Sequence, residues 1–238
     1  MILLGTLVNA LAIIAGALLG RLLSRIPESV RKTVMQGIGL AVILLGIKMG
    51  LGSDNFLLVI ISIVVGSIIG EVIGIEKGLN RLGQWLEKKV GGSKQGGIAT
   101  GFVTTTLVYC IGAMGVLGSM DSGLRNNHDI LFTKALLDGF SAIIFSSTLG
   151  IGVLFSAIPV FLYQGLIALL STQIYNVVSQ SMLDAILVEV TAVGGLMIIA
   201  IGINVLELKK INVANMLPAL VIAALGVPVT EWLGKLFS

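Results

Sequence analysis

Residues 55–70, NFLLVIISIVVGSIIG, run for sixteen positions without a charged side chain. Extended by one turn, the stretch reaches the ~20 apolar residues that carry a helix across the hydrocarbon core of a bilayer. The chain repeats this pattern on both sides of it, with uncharged runs over residues 2–20, 37–47, 95–120, 139–183, 190–206 and 211–230. The run 139–183 is too long for one passage. Ile158-Pro159 inside it offers a break, because the residue before proline is pushed out of the helical region. These runs predict helices over 2–23, 33–51, 55–74, 97–118, 130–155, 158–176, 186–206 and 214–234.

Composition agrees with membrane residence. The 238 residues are 56% hydrophobic and 11% charged, with a mean hydropathy of +1.06, against the roughly 25% charged residues of a soluble domain. The expected fold is therefore all-α: a polytopic membrane protein of about eight transmembrane helices, forming one integral membrane domain over 1–238. The first apolar segment lacks the basic region that opens a secretory signal; Arg21 and Arg25 follow it instead, so it is expected to stay in the protein.

Lysine and arginine placement sets the expected orientation. The 21–36 loop carries Arg21, Arg25, Arg31 and Lys32. The 75–96 loop carries Lys77, Arg81, Lys88, Lys89 and Lys94, and the 207–213 loop carries Lys209 and Lys210, so these three segments hold eleven of the fifteen basic residues. Eight spans put all three loops on the cytoplasmic side and both termini outside the cytoplasm. Removing one helix between the second and third loops would place Lys209 and Lys210 on the wrong side. The net charge of +3 is thus a topological signal, and nucleic-acid binding is rejected. Within the 75–96 loop, residues 76–90 place Leu79, Leu82, Leu86 and Val90 on one helical face with Trp85 beside it and lysines opposite. That pattern reads as an amphipathic helix lying at the membrane surface; docking on a partner protein is the alternative. Gly91, Gly92, Gly96 and Gly97 then make a candidate hinge.

Comparison of segments at fixed offsets reveals an internal repeat. Gly39, Leu40, Gly46 and Ile47 in the second span recur as Gly195, Leu196, Gly202 and Ile203 in the seventh, an offset of 156; Gly66, Glu71 and Gly74 recur as Gly226, Glu231 and Gly234, an offset of 160. By order the first span then pairs with the sixth. An odd number of crossings between the copies makes the repeat, spans 1–3 with spans 6–8, an inverted one. Glycine-rich helices produce chance matches, which is the competing explanation. A weaker echo links spans one and two to spans four and five. Inverted repeats are characteristic of secondary transporters, whose sites lie near the midplane.

Candidate site residues concentrate in spans four and five. The fourth span holds Thr104, Thr105, Thr106 and Tyr109 ahead of Gly112; hydroxyls and loosened backbone carbonyls can replace the hydration shell of a solute. The bland alternative is close helix packing with threonines bonding their own backbone. In the fifth span Lys134, Asp138 and Ser141 stand at i, i+4 and i+7 on one helical face, with Ser146 and Ser147 further along. An intramembrane charge is costly and usually faces a partner or cavity, which makes Asp138 the first candidate; an interfacial Lys134/Asp138 ion pair is the alternative. Glu189 in the seventh span is a second acidic candidate, and Asn9 and Asn204 are polar groups in apolar surroundings. Glu71 and Glu231, near span ends, read as structural. The GxxxG pairs Gly16/Gly20, Gly46/Gly50, Gly66/Gly70 and Gly70/Gly74 read mainly as packing, with a homo-oligomer through these faces as a further option.

No P-loop, nucleophile–base pair, paired acidic metal motif or HExxH is present, so neither an ATP-driven pump nor a membrane protease is signalled. The single Cys110 and single His128 make no metal-ligand cluster and no internal disulfide, and no metal or cofactor is expected. An enzyme is not expected either. The partners implied are the lipid bilayer and a small solute or ion. The functional expectation is a secondary transporter with a polar site in spans 4–5; an ion channel or a non-transporting scaffold or sensor are the alternatives.

The strings GTLVNALAIIAGALLG (5–20), YCIGAMGVLGSM (109–120), KALLDGFSAIIFSSTLGIGVLFSA (134–157) and VEVTAVGGLMIIAIGINVLELKKINVANMLPAL (188–220) together resemble a bacterial membrane family, domain of unknown function 554, the YqgA/YdfK-like proteins. The likeness covers almost the full length. It implies a polytopic bacterial membrane protein and brings no substrate with it. Where some members have a proline between the glycine and methionine after the cysteine, this chain has Gly112-Ala113-Met114.

Overall fold

A polar backbone in hydrocarbon must satisfy its own hydrogen bonds, and a chain this apolar does so as helices. The computed structural model describes residues 1–22, 28–53, 55–90 and 97–237, and these are helical with no strand among them. The helices are α1 (Leu4–Leu22), α2 (Glu28–Gly50), α3 (Phe56–Ile73), α4 (Ile75–Val90), α5 (Gly97–Cys110), α6 (Ala113–Arg125), α7 (Asp129–Leu149), α8 (Gly152–Phe155), α9 (Ala157–Val177), α10 (Gln180–Val205) and α11 (Pro218–Phe237), with a 3-10 turn at Val213–Met216 before the last. Among the described residues, seven helical segments are long and apolar enough to cross a membrane, and α5 with α6, bent by 62° at a short break, make an eighth.

Two expected boundaries are corrected. The fourth span is not one helix over 97–118: it stops at Cys110 and restarts at Ala113. Gly112 between them has φ 137° and ψ 149°, a region essentially reserved for glycine, so the break forms without a proline. The second break falls at Gly150 (φ 86°), not at Ile158-Pro159. Pro159 sits in the first turn of α9, where a missing N–H leaves no helical bond unmade. The 76–90 segment is helical as expected, within α4, which follows α3 directly through Gly74 (φ 75°). The side chains of Leu86 and Val90, and the glycines proposed as a hinge at 91, 92 and 96, lie outside the described residues.

The chain divides into two units. The first comprises Met1–Val34 with Leu79–Val177, the second Met35–Gly78 with Val178–Ser238. In the first, α1 and α7 run side by side in the same direction, so close that a Cβ on Gly16 or Gly20 would lie 2.2 Å from the carbonyl oxygen of Gly139 or Ile143. Partners on α7 fall in number as those on α5 and α6 rise. A Cβ on Gly101 would lie 3.3 Å from Leu149 O, Tyr109 meets Ser141, a Cβ on Gly115 would lie 3.7 Å from Lys134 Cε, and one on Gly118 would lie 2.9 Å from Leu131 Cδ2. Both halves of the fourth span therefore run antiparallel to α7, one after the other. A re-entrant loop would double back along its neighbour; this pair is a single span broken near its middle.

In the second unit, α2 packs antiparallel on α10 and α3 on α11. A Cβ on Gly39 would lie 3.3 Å from Gly202 O, and one on Gly46 would lie 2.6 Å from Gly195 O. On the other pair, Gly66 approaches Ala219 and Gly226 approaches Leu58. Gly16, Gly20, Gly46, Gly66 and Gly70 all meet other helices of the same chain. These glycines serve close packing within the chain.

Candidate functional site

Helix α7 is inside-out by soluble standards. Leu136, Leu137, Phe140 and Ile144 are exposed along one face while Lys134, Asp138, Ala142 and Ser146 are buried along the other. Apolar side chains facing out suit lipid, and the charges are turned toward protein, as intramembrane charges almost always are. Asp138 is the tenth of the 21 residues of α7, about halfway along the helix. Lys134, one turn earlier, is the sixth residue of the helix.

The pair is close and buried. Lys134 Nζ lies 2.8 Å from Asp138 Oδ2 and 3.0 Å from Oδ1, and the two residues are 8% and 6% exposed. Asn9 Nδ2, from α1, donates to Asp138 Oδ2 at 3.1 Å and to Gln164 Oε1 of α9 at 3.3 Å. Ser141 Oγ donates to the Asp138 carbonyl at 2.9 Å and stands 3.4 Å from the hydroxyl of buried Tyr109 at the end of α5. Four helices thus meet at one ion pair, beside the break at Gly112. Two amide atoms in it remain unused: Asn9 Oδ1 and Gln164 Nε2 are buried and find no hydrogen-bond partner, and neither does Thr6 Oγ1, one turn from Asn9 on α1. Buried polar atoms are nearly always bonded, so this clustering is unusual.

The break adds backbone polarity. Helix ends leave N–H and C=O groups without intrahelical partners; here Gly115 N donates to Gly112 O at 3.3 Å and Ile111 N to Leu107 O at 3.0 Å, and Gly112 at the N-cap supplies no side-chain bond. The two helix ends bring opposite partial charges into mid-span. The first turn of α6 faces the cluster: a Cβ on Gly115 would lie 3.7 Å from Lys134 Cε and 3.9 Å from Gln164 Nε2.

The structure therefore gathers Asn9, Tyr109, Gly112, Lys134, Asp138 and Ser141. It does not gather the rest. Thr104 and Thr105 are buried, with Thr105 Oγ1 donating to the Gly101 carbonyl; Thr106 Oγ1 is buried without a partner. Ser146 bonds the Ala17 carbonyl across α1 and α7, and Ser147 bonds its own helix at Ile144 on the exposed side. Glu189 and Asn204 belong to the second unit. Buried Glu189 accepts from the Ser53 hydroxyl at 2.7 and 2.9 Å. Asn204 clamps the loop, accepting from Ile211 N at 2.7 Å and donating to Ile211 O at 2.8 Å, so its amide is spent on structure. Glu71 is likewise structural, holding Asn215 of the 3-10 turn. The residue that sequence reasoning missed is Gln164. Its signal was available: a long amide in the apolar run FLYQGLIALL (161–170) needs a partner in hydrocarbon.

The chain matches the family described as "Protein of unknown function (DUF554)" over residues 4–227. It belongs to that family. It is 30% identical to the "Uncharacterized membrane protein YdfK" of Bacillus subtilis (strain 168), covering 98% of this chain and 99% of that one. It is 31% identical to the "Uncharacterized protein YqgA" of Escherichia coli (strain K12), covering 96% and 98%. No solved structure matches the chain at a significant level. This DUF554 chain is thus a polytopic helical membrane protein: one relative is named a membrane protein, and its own helices are long and apolar enough to cross a bilayer.

Proposed function

We propose that this protein is a secondary transporter of a small solute or ion in the bacterial plasma membrane, with its site where the broken fourth span meets α1, α7 and α9. One observation carries the reading: a buried Lys134–Asp138 pair lies beside a mid-span helix break, among amides with unused bonding capacity. Broken helices and intramembrane ionisable groups recur at transporter sites, where solute displaces internal partners. The inverted repeat expected from the sequence is a second line of support. The offset of 156 makes Gly195 the counterpart of Gly39 and Gly202 that of Gly46, and the packed pairs are Gly39 with Gly202 and Gly46 with Gly195. Such crossed contacts are what a local two-fold axis between α2 and α10 produces.

In this reading the carboxylate of Asp138 is the switch. A proton, cation or solute that competes with Lys134 for it changes which helices the pair holds together, and that differential binding is what drives a conformational equilibrium. Both termini lie outside the cytoplasm, α4 lies on the cytoplasmic membrane surface, and no chemical transformation is involved. Purified protein in lipid vesicles, assayed against a panel of cations, anions, amino acids and polyamines, tests the proposal. Saturable flux of one solute that Asp138→Asn abolishes is expected. Flux at channel-like rates, linear in driving force, would replace the carrier by a pore through the same residues. No flux of any panel member, with Asp138→Asn indistinguishable from wild type, would leave a scaffold or sensor.

A further inference from the structure

The polar groups at the ion pair fall into two sets of opposite character. On the α6 side are donors. The N–H groups of Ala113 and Met114 open α6 at the break, while that of Gly115 donates to Gly112 O at 3.3 Å; the Gln164 amide nitrogen, fully buried and unpartnered, lies 3.9 Å from where a Gly115 side chain would begin, and Lys134 Cε lies 3.7 Å from the same point. On the α1 side are acceptors: the Asp138 carboxylate and the unpartnered Asn9 Oδ1. Helix N-termini favour anions, and Lys134 adds a full positive charge.

From this we infer that the solute is a small zwitterion of the amino-acid type. Its carboxylate sits against the first turn of α6 at Gly115, bonded by Gln164 Nε2 and by Lys134 once released. Its ammonium takes the place of Lys134 on Asp138 and bonds Asn9 Oδ1. The inference rests on the transport reading of this site and gives it a substrate class. Charge balance is the deciding argument. Lys134 and Asp138 are the only charged partners in the cluster among the described residues, and together they are neutral. A lone cation or a lone anion would leave one of the buried pair uncompensated, whereas a zwitterion exchanges one internal ion pair for two intermolecular ones. Burying unpaired charge is the costliest event such a site can undergo. Glycine at 115 matters because its missing side chain leaves the α6 backbone open to the ligand. A Cβ there would touch Tyr163, Lys134 and Gln164 at 3.5 to 3.9 Å, so alanine fits and a larger side chain fills the seat.

The test is equilibrium binding to purified full-length protein in detergent, using the twenty standard amino acids as radiolabelled probes. For each that binds, its decarboxylated amine and deaminated acid are assayed too. At least one amino acid should bind, and each half-analogue should bind at least tenfold more weakly. Gly115→Leu should abolish binding and Gly115→Ala should retain it. Gln164→Met should weaken the amino acid and the acid analogue while leaving the amine analogue unchanged, a split that general destabilisation would not give. Each variant's monodispersity and melting temperature establish that it is folded. Binding of an amine or an acid as tightly as the amino acid would overturn the zwitterion. If no amino acid binds but vesicles move a cation, anion or polyamine in an Asp138-dependent way, the inference fails and the transport reading stands. If nothing binds and nothing moves, both fail.

Discussion

Asn9 and Gln164 are 155 residues apart in sequence, and a single hydrogen bond of 3.3 Å joins their side-chain amides. That separation is one residue short of the offset of 156 that relates Gly39 to Gly195 and Gly46 to Gly202. The bond joins α1 to α9, the first and sixth spans, which the repeat expected from the sequence pairs by order. Asn9 Nδ2 also holds Asp138 at 3.1 Å, which ties the ion pair to the contact between α1 and α9.

Breaking the ion pair from one side should be worse than removing it. Asp138→Asn leaves Lys134 buried without a counter-charge, and breaking a buried pair in this way costs ~3–5 kcal/mol. The double variant Lys134→Met/Asp138→Asn should recover most of that loss, because two neutral side chains of similar volume have no buried charge to compensate. Chemical denaturation or melting in detergent reads the cycle. Transport, if it depends on the carboxylate, should stay absent in both. A double variant as unstable as the single one would mean that the two residues do not form the pair described.

The break in the fourth span should depend on backbone conformation alone. Gly112 has φ 137°, and a Cβ there would meet nothing within 4 Å. Gly112→Ala therefore introduces no clash, yet forces an L-residue into a region that costs of order 1–3 kcal/mol. A lower melting temperature with unchanged assembly is the expected result. A neutral substitution would indicate that the span can close into a continuous helix at this point.

The topology can be read by cysteine labelling in cells, on a background in which the single cysteine is replaced by Cys110→Ser. Asn127 between α6 and α7 and Lys209 after α10 lie on opposite sides in an eight-span protein. Asn127→Cys should react with an impermeant maleimide applied from outside, and Lys209→Cys should react only after permeabilisation. Both sites reacting from the same side would remove one span and reverse the charge-based orientation.

The helices, their number and the charged face of α7 were legible because each leaves a one-dimensional trace: length of uncharged run, position of lysines, i, i+4 spacing. The breaks were not. Pro159 looks like a break and is absorbed into the first turn of α9, while Gly112 and Gly150 look like ordinary glycines and make the breaks through positive φ. Gln164 was missed because an uncharged run hides a neutral amide as easily as a leucine. Asn204 is the opposite case. Its polarity is real, but it is consumed by the Ile211 backbone seven residues away, a partner that exists only once the loop is formed.

Glycines of equal appearance in the sequence should respond to alanine with opposite signs. Gly16 lies where α1 crosses α7, and a Cβ there would be 2.2 Å from Gly139 O and 3.1 Å from Gly139 C. Both are backbone atoms that cannot rotate aside, so Gly16→Ala must push the helices apart and strain every contact between them. That overpacking costs typically ~1–3 kcal/mol. It also stretches the bond from Ser146 Oγ to Ala17 O, now 2.7 Å. Gly37 lies within α2, and a Cβ there would meet nothing within 4 Å. Replacing a mid-helix glycine by alanine reduces the conformational freedom of the unfolded chain and gains about 0.5–1 kcal/mol. Gly16→Ala should therefore lower the melting temperature of the purified protein, and Gly37→Ala should hold or raise it. A tolerated Gly16→Ala would contradict the close parallel packing of α1 on α7, and with it the position of Asn9 against Asp138.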